Sequence, residues 1–516
     1  MRRSDDTVLT LSWDHVVGKV AHVDVSNPTT HPDQAPLRLI SYEYDAYGQL
    51  RRVINSNDGA LEYHYDDAGR ICAWTDRNGV SYYYRFDQHG RVHSQVGTGG
   101  MFPNIVYWGP DEGVDAPVGG RVCVALETAG QFQADPLVLG DAVVEQYLQR
   151  LEKLPLYQAL KDGGLDAAGL TGRGRTAPRD EHDWSIPQHW LHDELLGDIR
   201  PTVYRSTPAG DVWRIISPEG RVEDATYNDY HQQTSVTNSA GATTTYTYND
   251  DGLLIATDYP NGTQSRIESA VWGVPARVVD TDGLATEVVV DAFGMVQSVT
   301  QPSGATTSYT YEVRASGIVP TSVTHPDGTA TQITCDDAGR VLASTDPAGR
   351  RTSVSRDVRG LIVESMDPAG AITSVQYSPE GWPTGVSYPD GTSVAMSYDG
   401  EGNQLSYTNE IGATQTTQYT VFDTPVVTTD ASGAKTRLSY NTQMQPVRLT
   451  NADDHCWSYA YDLDGRLIKQ VDYNGFETTT THSPDGLVIT LTTPAGSTTC
   501  TRNVDGRVAS IVDGLG

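Results

Sequence analysis

Glycine recurs along this chain as if on a ruler. From Gly241 the glycines fall at 252, 262, 273, 283, 294 and 304, then, after a slip of three residues, at 328, 339, 349, 360, 370, 381, 391, 402 and 412. Steps of eleven and ten alternate, so the period is twenty-one. The ruler continues through Gly433, Gly465, Gly475, Gly486 and Gly496, with Asp423, Met444 and Asp454 at the marks between. An earlier tract repeats it at Gly48, Gly59, Gly69, Gly79 and Gly90. A unit this short cannot bury a core alone. It must lean on its neighbours, so the length prior of about three separate domains gives way to a repeat array.

Two turn sequences alternate on the ruler. One is x-P-x-G, as in "DPAG" (346–349 and 367–370), "YPNG" (259–262) and "YPDG" (388–391). Proline presets φ, Asp or Ser can bond back to the backbone, and Gly suits the last position, which predicts a type I turn. The other is Y-D-x-x-G, often followed by Arg: "YDDAGR" (65–70), "FDQHGR" (86–91), "YDLDGR" (461–466). Here the Asp side chain can close an Asx-turn while Gly takes a positive φ. Both sequences reverse the chain.

About four residues per reversal leave strands of six or seven, roughly 20 Å long at about 3.3 Å per residue. Each unit is therefore one antiparallel hairpin. In "ATTTYTYND" Tyr246 and Tyr248 share one face and Thr245 and Thr247 the other, as strand alternation requires. A lone hairpin is marginal in water, so the units are expected to pair side by side into one long sheet. Tyr377, Tyr398, Tyr419, Tyr440 and Tyr461 are twenty-one apart and are expected to stack down one line of it, ring on ring.

A tandem Y-D-x-x-G-R unit of this period resembles the YD repeat of the RHS family, which also occurs in teneurins and in the shell-forming subunits of insecticidal toxin complexes. The resemblance covers residues 40–97 and about 205–516. It implies a mainly β fold: tandem antiparallel hairpins spiralling into a hollow β-shell that encloses cargo, usually a toxin domain of the same polypeptide. Family shells that release a toxin end in a D-P-x-G-x-x-x-G core motif, and the final "RVASIVDGLG" does not match it. Family shells are also several times longer in repeats, so the chain is not expected to close a cavity by itself and is expected to be a fragment, or one part of a shell completed by another chain.

From 101 to 204 the ruler vanishes, which divides the chain into YD strands at 1–100, a partly helical insertion at 101–204, and a YD-repeat segment at 205–516. "LGDAVVEQYLQRLEKLPLYQALKDGG" (139–164) places Val144, Leu148, Leu151 and Leu154 on one helical face, with Asp141 at the N-cap and a break at Pro155. A second helix is expected from Pro187 to Leu196, and residues 171–183 read as an exposed loop. The insertion is too small and polar for an independent core and should act as a cap or plug against the sheet, or project from the wall. "EHDWSIPQHWLH" gathers His182, His189 and His192 beside Asp183, Asp193 and Glu194. On a helix, His189 and His192 would share a face and could share a metal. The spacing is not H-E-x-x-H, however, and Trp184, Trp190 and Leu191 suit ordinary packing, which is the preferred reading.

Other chemistry is excluded by pattern. There is no G-x-S-x-G, no G-x-x-x-x-G-K-[ST], no dinucleotide fingerprint, no EF-hand loop and no G-G-x-G-x-D nonapeptide. No catalytic, cofactor-binding or metal residue is assigned. Cys72, Cys123, Cys335, Cys456 and Cys500 are odd in number and never form C-x-x-C, so neither a disulfide framework nor a zinc knuckle is expected. Cys335 stands where other units have Tyr. With 66 acidic against 36 basic residues the net charge is -30, which repels nucleic acid. No stretch reaches the length of an apolar membrane span, and "MRRSDDTVLTLSW" has no apolar signal core. An export signal is expected outside this chain.

The functional expectation is a noncatalytic scaffold, secreted or at the cell surface, that helps encapsulate a toxin or other effector for export. Its partner is that cargo or a complementary shell chain. The alternative is a teneurin-like adhesion module binding carbohydrate or protein. A β-propeller enzyme is the third reading, since two units approach a four-stranded blade, but equivalence at every twenty-one residues favours a continuous spiral.

Overall fold

The computed structural model describes residues 1, 6–28, 31–112, 116–130, 141–170, 186–314, 317–483, 486–503 and 507–514. Forty-one strands, β1 (Val8–Asp14) to β41 (Val508–Asp513), form one antiparallel sheet. Each strand pairs with its neighbour in sequence, except that β10 (Arg121–Ala129) pairs directly with β12 (Gly197–Ser206) across an intervening segment. The architecture is mainly β and continuous, as the repeat predicts.

The two turn sequences fold alike. In "YDDAGR" the Gly69 N–H bonds the Asp66 carbonyl and the Asp66 N–H bonds the Arg70 carbonyl. One Asp66 carboxylate oxygen accepts from the backbone of Ala68 and Arg70, and the other takes the Arg70 guanidinium at 2.8 Å. "DPAGRR" repeats every one of these contacts around Asp346. Gly69 and Gly349 both have φ near +80° (+77° and +79°), so the proline turns are type I turns closed by a left-handed residue, not simple type I turns. Asp423, Met444 and Asp454 hold the same conformation at φ +61°, +60° and +60°, as their place on the ruler predicts.

What separates the two turns is a bulge. Tyr377 faces Pro383 while Gln376 faces Gly385, which leaves Thr384 extra. The shift recurs before the turns at Tyr398, Tyr419, Tyr440 and Tyr461. The alternate hairpins lack it, as where Val427 to Thr429 pair with Arg437 to Lys435 in register. A bulge bends its strand and adds right-handed twist. From Tyr227 to Tyr461 the bulge recurs unit after unit at the same edge, which curls the ribbon in a constant sense.

The ribbon accordingly meets itself. The proline-type edge of the first circuit docks on the tyrosine-type edge of the second: Arg77 pairs with Glu401 at 3.1 Å, the Asn78 amide bonds Asp399, and Arg221 pairs with Asp464 at 2.7 Å. Between the Gly220 turn and the Asp462 turn lie twenty-three strands. At about 4.8 Å per strand, one circuit measures roughly 110 Å.

The most deeply buried side chains lie elsewhere, where helices cover the sheet. Helices α1 (Asp141–Glu152) and α2 (Pro155–Ala167) sit between β10 and β12 in sequence, with the expected break at Pro155. Val144, Leu148, Leu151 and Leu154 are buried as their spacing predicts, together with Tyr147, Leu156 and Leu160. They close on Val96, Ile105, Val124, Leu126, Ile199 and Val203 of the sheet. Each fully buried aliphatic side chain contributes about 1.5–3 kcal/mol, so this shared core fastens the helices to the wall. Arg85 adds ion pairs to Glu145 and Glu152, and His93 meets the Tyr157 hydroxyl at 2.6 Å.

The helix expected from Pro187 to Leu196 does not form. Gln188–Trp190 is a single 3-10 turn, and β11 (His192–Asp193) pairs with β12. The Asp193 carboxylate accepts the backbone N–H groups of Leu195 and Leu196, and Gly197 follows at φ +75°. An Asx-type reversal onto a waiting strand outcompetes a short helix.

Candidate functional site

In a ribbon of repeats the candidate site is an extended surface, built from one side chain per unit. The unit tyrosine supplies the first row. The Tyr377 hydroxyl donates to the Ile362 carbonyl, Tyr398 to Pro383, Tyr419 to Gln404, Tyr440 to Pro425 and Tyr461 to Pro446, all at 2.8–3.0 Å. Tyr65, Tyr227, Tyr248 and Tyr311 do the same fifteen residues upstream. The rings do not stack on one another as expected, because successive tyrosines are two strands, about 9.6 Å, apart. A phenol reaches the carbonyl one strand away instead. Desolvation raises the pKa of Tyr65, Tyr311 and Tyr440, which keeps the donor proton in place.

Units without Tyr show what the position requires. Cys335 is buried there and turns its thiol to the Pro320 carbonyl at 3.7 Å. Burial pushes that thiol up. Arg356 reaches the Val341 carbonyl at 3.1 Å, and Phe86, which has no donor, carries the Arg70 guanidinium over its ring at 4.4 Å. A hydrogen-bond donor or a packed ring fills the slot.

The second row is the turn clamp. The Arg70 guanidinium and backbone hold the Asp66 carboxyl below the usual carboxylate range. At Asp87 partial desolvation opposes ionisation, yet the Arg91 and His89 backbone N–H groups and the Arg91 guanidinium outweigh it and bring the carboxyl to about 2. These acids serve turns.

The third row is the seam. Thr442, fully buried, accepts from the Gly130 N–H and donates to the Thr128 carbonyl, while its own backbone bonds Gly130 and Phe102. Asp464, its side chain 1% exposed, accepts the Glu219 N–H at 3.0 Å besides its Arg221 pair. Phe422 enters a socket floored by Gly97 and walled edge-on by Tyr82 and Phe102, centroids 6.2 and 5.6 Å away. Reading single units misses all three residues. One signal was present: two successive tyrosine-edge turns that lack the ruler glycine, at Asp423 and Met444, lie in the seam.

The histidine cluster does not converge. His182, Asp183 and Trp184 lie outside the described residues. His189 packs its ring against Trp190, while His192 is exposed and 3.0 Å from Asp198. Asp193 is committed to Arg150 at 2.7 Å, and Glu194 is exposed. Among the described residues no three His, Cys, Asp or Glu side chains are placed to hold a metal ion. The Arg448 guanidinium lies against the Cys456 sulfur at 2.6 Å and draws that thiol down. All five cysteines are unpaired with one another.

With this geometry in hand, comparison with known proteins is direct. The family model described as Teneurin YD-shell matches residues 221–380 and 329–483. Among solved structures, the crystal structure of TcdB2-TccC3 superposes over 98% of this chain and 30% of its own length, with a TM-score of 0.59 at 14% identity. The form of TcdB2-TccC3 without its hypervariable C-terminal region gives a TM-score of 0.55 at 14% identity over 98% of this chain and 32% of that one. The TcdB2-TccC3-Cdc42 structure gives the same four values. This chain thus spans about a third of the structures it resembles, and the likeness is one of fold. No curated protein sequence matches it. With the family model covering more than half its length, and the bulged, tyrosine-laddered ribbon to match, the chain belongs to the Teneurin YD-shell family.

Proposed function

We propose that this chain is a noncatalytic length of shell wall that helps enclose a toxin or other effector during export and delivery. The carrying observation is the seam: a ribbon that bends steadily and seals to its own edge bounds a space. A circuit of roughly 110 Å corresponds to a ring about 35 Å across, and removing a wall about 10 Å thick leaves about 25 Å. A compact 100-residue domain has a radius of gyration near 13 Å and an outer diameter of about 34 Å. This circuit therefore suits an extended or very small segment. A larger cargo needs further wall from a complementary chain, in keeping with relatives about three times as long. Residues 101–204 act as a cap-like insertion whose helices stiffen the wall. No helix among the described residues is long and apolar enough to cross a membrane.

The reading is tested by tethering an unfolded reporter of about 40 residues to the full chain through a flexible linker and adding protease. Drawn in and collapsed to native-like density, a segment of that length measures about 23 Å across, which fits the ring. Protection relative to free reporter is expected, with electron microscopy showing a hollow coil. Equal cleavage rates, or a filled compact particle, reject it. A second reading, adhesion, draws on exposed aromatic residues at turn tips such as Trp272 and Phe293, 82% and 73% exposed. Glycan binding lost on replacing them would favour it.

A further inference from the structure

The tyrosine-type edge does not end where the seam ends. It also carries the turns at Asp291–Gly294, Val271–Gly273, Asn228–His231 and Asp45–Gly48, none of which touches another circuit among the described residues. The tips of these turns carry Phe293, Trp272, Tyr230 and Tyr47, which are 73%, 82%, 83% and 90% exposed. Each occupies the position just before the left-handed residue of its turn, the position Phe422 holds before Asp423. In the seam that position delivers a ring into a socket on the opposing edge. On the rim the same rings stand in solvent, about 9.6 Å apart where units adjoin.

Trp272 carries a second mark. Its φ is +59°, a left-handed conformation that a bulky residue adopts only under constraint. Its indole N–H bonds the Ala292 carbonyl at 3.2 Å, aligning the ring along the rim toward the next tip. Trp272 and Phe293 are thus an adjacent pair of exposed rings, the Asp251 tip separates them from Tyr230, and large apolar rings gathered on one rim mark an interaction surface.

The opposite rim differs. Its proline-type turns end mostly in small or polar tips, among them Asp282, Ser303, Asp327, Ala348, Ala369 and Asp390, like the Arg77-Asn78 and Pro218-Glu219 tips that meet the tyrosine edge in the seam, while Ile411, 87% exposed, is a large apolar tip on the same rim. The chain therefore displays, unoccupied by itself, both halves of an interface it already forms once.

We propose that the aromatic rim is a second half-seam, and that its occupant is the proline-type rim of a second copy of this chain, stacked head to tail. The contact is heterologous, so it propagates unless one rim is blocked. It stands on rim geometry whatever the wall contains. Because each copy carries a net charge of -30, association strengthens as salt screens the repulsion.

The test is sedimentation velocity on the full chain from low micromolar concentration upward, at low and at about 0.15 M salt. The wild type is expected to form a concentration-dependent series of species. The triple variant Tyr230→Ser, Trp272→Ser, Phe293→Ser and the opposite-rim variant Ala369→Arg, Ile411→Arg are each expected to remain monomeric at the wild-type melting temperature. Mixed together they retain one good rim apiece, and a one-to-one dimer that grows no further is expected. A wild type that stays monomeric throughout, or association unchanged by the triple variant, overturns the proposal. Mixed variants that remain monomeric overturn the head-to-tail arrangement. None of these outcomes bears on cargo protection, which tests the shell reading separately.

Discussion

The Tyr398 hydroxyl donates to the carbonyl of Pro383 at 2.8 Å, and Pro383 is the strand partner of Tyr377. Each unit thus ties its tyrosine to the backbone residue opposite the tyrosine before it, and the ladder runs along the ribbon as a line of side-chain-to-backbone rungs. Tyr398→Phe keeps the ring and removes one rung. A loss of about 1 kcal/mol is expected in chemical denaturation, and Tyr398→Ala should cost more. Equal stability of Tyr398→Phe and wild type would mean the rung contributes nothing.

Gly360 sits at φ +94°, and a Cβ there would meet the Arg340 guanidinium at 2.4 Å. Thr307 lies on a regular strand opposite Val299. Gly360→Val is therefore expected to destabilise by roughly 1–3 kcal/mol, and Thr307→Val by far less. Melting temperatures of the two variants decide it.

The seam gives a prediction at one atom. Thr442→Val preserves shape but takes the hydroxyl acceptor from the buried Gly130 N–H, while the Thr128 carbonyl keeps its bond from the Gln443 amide. Leaving buried polar groups unpaired costs about 1–3 kcal/mol. Hydrogen exchange should quicken first at residues 128–130 and 441–445. Uniform change along the ribbon would show that the two circuits are not coupled there.

Acid should loosen the turns. The folded pKa of Asp87 is depressed to about 2, below the unfolded value of about 3.9, so its contribution is complete above the unfolded pKa and lost as pH falls through the folded one. Asp66 shifts in the same direction. Thermal stability is expected to fall between about pH 4 and pH 2, and Asp87→Asn should flatten part of that slope. A slope identical in the variant would remove Asp87 as its source.

Much of this was legible from local chemistry. Gly69 marks a left-handed turn because no other residue adopts that φ so cheaply, Asp66 marks an Asx closure, and the spacing between such marks sets strand length. Even non-glycine residues at the marks, Asp423 and Met444, were placed correctly. Errors arose where a side chain had to choose among partners. The tyrosines were expected to meet one another, but two-strand spacing sends each to a carbonyl. A helix is expected from Pro187 to Leu196, but β12 offers His192 and Asp193 a strand partner that the local sequence does not show.

Alternation, turn chemistry and period, all short-range, determined the hairpin, its repetition and the continuous antiparallel ribbon. The pairing of Arg221 with Asp464, the burial of Thr442 and the docking of Phe422 on Gly97 were decided only in three dimensions. They depend on how far the ribbon bends at every bulge, and a small rotation summed over twenty-three strands selects which turn of the second circuit lands on which turn of the first.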